Sequence, residues 1–143
     1  MEQILALHAL EKRYRDFTLG PITLAMPAGC IMGLIGPNGA GKTTLVKLVM
    51  NIIRADAGSV EAFGLGHDEH EKEIKNRIGY VGETQYFYEN RSVDWHGRFV
   101  AHYFERWNEN RFTELLGRFE LHRRKKARDL SKGMRVKLSL AIA

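Results

Sequence analysis

Glycines at 36, 39 and 41, a lysine at 42 and hydroxyls at 43 and 44 stand together in Gly36-Pro37-Asn38-Gly39-Ala40-Gly41-Lys42-Thr43-Thr44. This spacing, G-x-x-x-x-G-K-[ST], suits the cradling of a polyphosphate. The three glycines are expected to allow positive φ and to bring successive N–H groups close to a β-phosphate, where a Cβ would obstruct. A helix starting near Gly41 adds unpaired N–H groups and the positive end of its dipole. Lys42 is expected to reach the β- and γ-phosphates, Thr43 to ligate Mg²⁺ and Thr44 to donate to the α-phosphate. A chance match in a chain of this length is on the order of one in several hundred.

Such a loop needs a strand before it and a helix after it. Cys30 to Ile35 reads as a short buried strand, and Leu45 to Ile53 as an apolar helix. Upstream, Ile4 to Leu10 and Ile22 to Met26 read as antiparallel strands. Between them, Tyr14 and Phe17 lie in a charged stretch where an exposed ring could stack on a base, or could pack on the sheet. Downstream, Ser59 to Phe63 and Ile78 to Val81 read as further strands. The run His67-Asp68-Glu69-His70-Glu71 has no recognised metal-ligand spacing and reads as a solvated helix start; histidines 8, 96, 102 and 122 form no motif.

Beyond Gly82 the composition changes. Trp95, Phe99, Tyr103 and Trp107 fall four apart, along one row of a helix that Ser92 could cap, and the row is expected to be core. A second helix, Arg111 to Leu121, is expected to pack Phe112, Leu115, Leu116 and Phe119 against it. Ser131 is a good N-cap for a last helix of apolar character, Arg135 to Ala143.

The 143 residues suit a single domain with a real core, and 44% of them are hydrophobic, as in a globular protein. The single cysteine, Cys30, cannot form an internal disulfide, and a buried place for it suits a reduced, cytoplasmic protein. No apolar run could span a bilayer and the N-terminus lacks signal-peptide organisation, so any membrane role is expected to be indirect. The net charge of +5 is uneven: residues 123–137 hold eight cations against Asp129 alone. This block could bind nucleic acid, anionic lipid or nucleotide phosphates; a solvated face is the preferred reading.

Taken together, Tyr14, the phosphate loop at 36–44, the strand Ile78 to Val81 and the motif Leu130-Ser131-Lys132-Gly133-Met134 resemble the ATP-binding subunit of an ABC transporter. The tone is most like bacterial ABC-2 type antibiotic and multidrug exporters. The resemblance implies an α/β P-loop NTPase fold of ABC type, with an N-terminal antiparallel β-subdomain and a helical subdomain, incomplete at the C-terminus. Expected divisions are 1–82 for the β-subdomain and phosphate-loop part, 83–130 for the helical subdomain, and 131–143 for the signature motif and following helix.

Carried over residue by residue, the resemblance implies that Tyr14 stacks on adenine and that Gly36, Pro37, Asn38, Gly39, Ala40, Gly41, Lys42, Thr43 and Thr44 hold ATP and Mg²⁺. Leu130, Ser131, Lys132, Gly133 and Met134 would face ATP bound to a second ATP-binding subunit, with Ser131 and Gly133 on its γ-phosphate. Glu83 stands where the family usually has glutamine; with Lys42 it is a candidate catalytic residue, and with Thr43 a candidate Mg²⁺ ligand. Lys132 and Met134 replace the usual glycine and glutamine. The implied partners are a membrane permease and a second ATP-binding subunit, with no nucleic acid, at the inner face of the cell membrane. The family's Mg²⁺ aspartate, its water-polarising glutamate and its later histidine are not found, so the chain alone is expected to hydrolyse ATP poorly and to associate through uncovered apolar edges. Two rivals are a non-transport ABC ATPase acting on ribosomes or DNA and a non-catalytic nucleotide-binding fragment.

Overall fold

The computed structural model describes residues 2–143, which divide into two compact units, one ending at residue 75 and one spanning 76–143. In the first, strands β1 (Gln3–Arg13), β2 (Thr18–Pro27), β3 (Ala57–Ala62) and β4 (Leu65–Gly66) form an antiparallel sheet in the order β2-β1-β3-β4. Helices α1 (Lys42–Val49) and α2 (His67–Lys75) complete the unit.

A bulge sets the face of the central strand. Leu7 and Leu10 are three apart, so strict alternation would send them to opposite faces. Instead Ala9 takes φ 45°, the register shifts between Leu7 and Leu10, and both side chains are buried in one cluster with Leu19, Leu45, Leu48 and Val60. Gly58 on β3 lies so close to the bulge that a Cβ there would stand 2.3 Å from the Ala9 carbonyl oxygen. Helix α1 contributes Leu45 and Leu48, one turn apart, to this core. It ends at Val49, before the expected Ile53, and Asn51 reverses the chain at φ 49°.

The expected strand at Cys30 to Ile35 does not form. The segment has no ladder partner among the described residues, Cys30 is exposed with its Sγ donating to the Pro27 carbonyl, and Ile31 and Ile35 are 101% and 94% accessible. The physical reason is that strand pairing, unlike a helix, needs hydrogen bonds from another segment. Ile78 to Val81 likewise forms no strand. His67, expected in a solvated helix start, is buried, with its Nε2 hydrogen-bonded to the Val49 carbonyl at 2.8 Å.

The second unit holds α3 (Val93–Ala101), α4 (Glu109–Arg118), a short 3-10 turn (Ala127–Asp129) and α5 (Lys132–Ile142). Each α-helix begins on a side-chain cap: Ser92 accepts from the Trp95 N–H, Asn108 from Arg111 and Ser131 from Met134. Such caps satisfy donors that the helix cannot pair itself. The core is Val93, Phe112, Leu116, Leu121, Leu130, Leu138 and Ala141. Gly97 permits the closest approach, since a Cβ there would lie 2.4 Å from the Phe112 ring.

The aromatic row is therefore not this core. Trp95 stacks on Phe99 at 4.9 Å and Phe99 meets Tyr103 at 5.3 Å, but Phe99 and Tyr103 are exposed, as is Tyr88, whose ring packs edge-on to Trp95. The α3 face that is buried carries Val93, His96 and Gly97 instead. Trp107 lies beyond the end of α3 and packs on Phe112. Accordingly α4 sends Phe112 and Leu116 to the core shared with α5, with Leu115 and Phe119 at its border.

Candidate functional site

The phosphate loop lies in the first unit, between the extended segment and α1. Gly39 and Gly41 adopt φ of 83° and 91°, the left-handed region that glycine tolerates at no steric cost. Gly36 does not share it; a Cβ there would press on Ala40 Cβ at 3.2 Å, so close approach across the loop explains that glycine. Gly41 is the N-cap of α1 and offers no side-chain acceptor, which leaves the first N–H groups of the helix for another partner. Nothing lies within 4 Å of a Cβ built on Gly39. The Lys42 ammonium curls into the loop and donates to the Gly36 and Pro37 carbonyls, both at 2.7 Å. Thr43 is exposed in the first turn and Thr44 half-buried beside it. An uncapped helix start, an ammonium and an exposed hydroxyl side by side have the chemistry to fit a polyphosphate with its Mg²⁺.

Tyr14 is brought to the same neighbourhood through Phe17. Their rings stack with centroids 6.5 Å apart, and the Phe17 Cζ lies 3.0 Å from where a Gly41 Cβ would stand. Lys12 Nζ sits 5.9 Å from the Tyr14 centroid. Asp56 was not singled out in the sequence, yet it anchors the end of β1 that carries Tyr14. Its carboxylate accepts from the Arg13 N–H at 2.6 Å and from Lys12 Nζ at 3.2 Å. These two bonds, the backbone one first, hold its carboxyl below the usual range. An acid just after the turn that follows the phosphate-loop helix was the available signal.

In the second unit, Glu83 is exposed, and its carbonyl accepts from Gln85 Nε2 at 3.3 Å. Of the signature motif, Leu130 is buried, Ser131 caps α5 with its Oγ 3.3 Å from the Met134 N–H, and Met134 Sδ accepts from Lys125 Nζ at 3.8 Å. Lys132 and Gly133 face solvent, and no atom lies within 4 Å of a Cβ built on Gly133.

The basic block is not simply a solvated face. Arg123 donates to Asp94 at 2.5 Å and Glu109 at 2.9 Å, and also to the Thr113 hydroxyl. Arg128 reaches Asn90, Arg135 reaches Glu89, and Lys137 donates to the Phe119 carbonyl at the end of α4. These pairs join neighbouring segments of the helical unit at its surface.

Comparison with known proteins agrees with this arrangement. The ABC transporter family model matches residues 19–143. The daunorubicin resistance ATP-binding protein DrrA3 of Streptomyces coeruleorubidus is 36% identical over 144 residues, covering 96% of this chain and 45% of that protein. The bacitracin transport ATP-binding protein BcrA of Enterococcus faecalis is 31% identical, covering 100% and 47%. A solved ATP-binding subunit of an ABC transporter superposes with TM-score 0.86 at 26% identity, over 98% of this chain and 61% of that one. Thus the fold is that of an ABC-type ATPase domain. The chain belongs to the ABC transporter ATP-binding family, and spans about half the length of these curated relatives.

Proposed function

We propose that this chain binds Mg-ATP and forms part of the ATP-binding subunit of a cytoplasmic, membrane-associated exporter, with a separate permease as its partner. The observation that carries the reading is the phosphate loop: two left-handed glycines, an uncapped helix start and Lys42 at the centre. In this reading Gly36 to Thr44 hold the phosphates, Thr43 ligates Mg²⁺, and Tyr14 stacks on the base. Magnesium bridges and neutralises phosphate oxygens when bound. Ser131 and Gly133, at the start of α5, serve the nucleotide of a second ATP-binding subunit. The open space at Gly133 and the exposed helix start support that role. The exposed rings of Tyr88, Phe99 and Tyr103, with half-buried Trp95 beneath them, are the surface offered to the permease. Daunorubicin resistance and bacitracin transport, the roles named for two relatives, support export as the direction.

On its own the 143-residue chain holds nucleotide without turning it over, because positioning the attacking water requires carboxylates outside this set. Titration calorimetry with Mg-ATP tests the first half: saturable binding that weakens by about tenfold or more in Lys42→Ala is expected, and equal binding by both proteins overturns it. Phosphate release by the purified chain, abolished in Lys42→Ala, would overturn the second.

A further inference from the structure

Within the second unit, the exposed aromatic row and the first turn of α5 are carried by segments that one ion pair joins. Tyr88 packs its ring edge-on to Trp95 and Phe99, at 5.2 and 5.7 Å, and its N–H donates to His96 Nε2 at 3.1 Å. The next residue, Glu89, accepts from Arg135 Nη2 at 2.5 Å. Arg135 lies one turn after Ser131, to whose carbonyl its own N–H donates at 2.9 Å. The same guanidinium donates to the Ala127 carbonyl at 3.1 Å, and the Arg128 N–H donates to the Glu89 carbonyl at 3.0 Å. Among the described residues, Arg135 to Glu89 is the one salt bridge between α5 and the segment 86–91.

The geometry points to Glu89 and Arg135 as a positioning pair that ties Tyr88 on the aromatic row to the first turn of α5, and so to the orientation of Ser131 and Gly133. Leu138 and Ala141 anchor the later turns of α5, and Leu130 and Met134 pack on the same core at its start, whereas Lys132 and Gly133 are exposed. Arg135 adds to these contacts the ion pair that reaches the segment carrying Tyr88. A planar guanidinium held by a carboxylate and a carbonyl is a stiff connection, since both bonds are directional and charge-assisted, the one to the carboxylate doubly so. A shift of Tyr88 moves Glu89 with it, and Arg135 carries the shift into the helix start. The use of this connection in transport rests on the function proposed above; the connection itself does not.

The test is amide hydrogen exchange on the full 143-residue chain, read at Met134 and Arg135 for the helix start and at Leu116 and Leu138 for the core. Tyr88→Ala is expected to speed exchange at the helix start by about fivefold, the size typical of neighbours in one network, and to leave the core amides unchanged. In a Glu89→Gln background the same substitution is expected to have no effect at the helix start. An equal acceleration in both backgrounds, or one that spreads evenly to Leu116 and Leu138, overturns the proposal. Should Tyr88→Ala unfold the unit, Tyr88→Leu carries the same comparison. Mg-ATP affinity measured on the same samples reports the phosphate-loop reading separately, so either conclusion can fail while the other stands.

Discussion

Two apolar stretches with similar composition meet opposite fates. Cys30 to Ile35 and Leu138 to Ile142 both look like core, yet Ile31 and Ile35 are bare while Leu138 is fully buried. A helix closes its own hydrogen bonds and needs only an apolar face to lie on, which α4 and Val93 provide for α5. An extended segment has no such independence, because its N–H and C=O groups point sideways and must be met by a neighbour. Hydrophobicity is thus a property of a residue, and burial a property of its company.

The contrast is broken most severely from the packed side. Leu138→Ala, in the middle of the helical core, is expected to cost about 2–5 kcal/mol of unfolding free energy, read by urea denaturation. On the loop side, Lys42→Ala is expected to weaken Mg-ATP binding by about tenfold or more, as loss of a charge-assisted phosphate contact should. Ser92→Ala removes the cap of α3 and is expected to cost about 1 kcal/mol, with Ser92→Asn restoring most of it.

A smaller effect is expected from pH. Burial pushes the His96 imidazole below its ordinary 6.5, against the opposing influences of the Ser92 carbonyl and the Glu89 carboxylate. The fold therefore prefers the neutral ring, which is also the form whose Nε2 can accept from the Tyr88 N–H. Its contribution is complete above about 6.5 and is lost as pH falls toward the folded-state value, because the unfolded chain then binds the proton more readily. Denaturation midpoints between pH 7.5 and 5 should show this decline, and His96→Gln should flatten it. The smallest change in stability is expected for Ile35→Thr, within about 0.5 kcal/mol in this chain. Light scattering should meanwhile show less self-association, since an exposed apolar side chain is removed.

The geometry of the loop at 36–44 was legible because it is local: left-handed positions at 39 and 41 demand glycine, and Gly41 leaves the start of α1 without a side-chain cap. The caps Ser92 and Ser131 were legible for the same reason. The aromatic row was misread because fourfold spacing states which residues share a face, and says nothing about which face is covered. Gly97 decided that question, since its missing side chain admits the Phe112 ring on the opposite side of α3. The basic block was legible in part: Arg124, Lys126, Arg128, Lys132 and Lys137 are exposed, as a solvated face requires, but Asp94, Glu109 and Glu89, which pair with Arg123 and Arg135, lie 14 to 46 residues earlier in the chain. Asp56 escaped notice because its partners are a lysine side chain and a backbone N–H at the far end of β1.

Lys42 already has two tenants at its ammonium, the carbonyls of Gly36 and Pro37. An ammonium carries three N–H donors, so these two carbonyls leave one of them free. A ligand that needed only that donor could join the loop as it stands, whereas one that needed all three would have to take the place of chain oxygens. In the reading proposed above, the lysine thus serves as the loop's own clasp as well as its contact for phosphate.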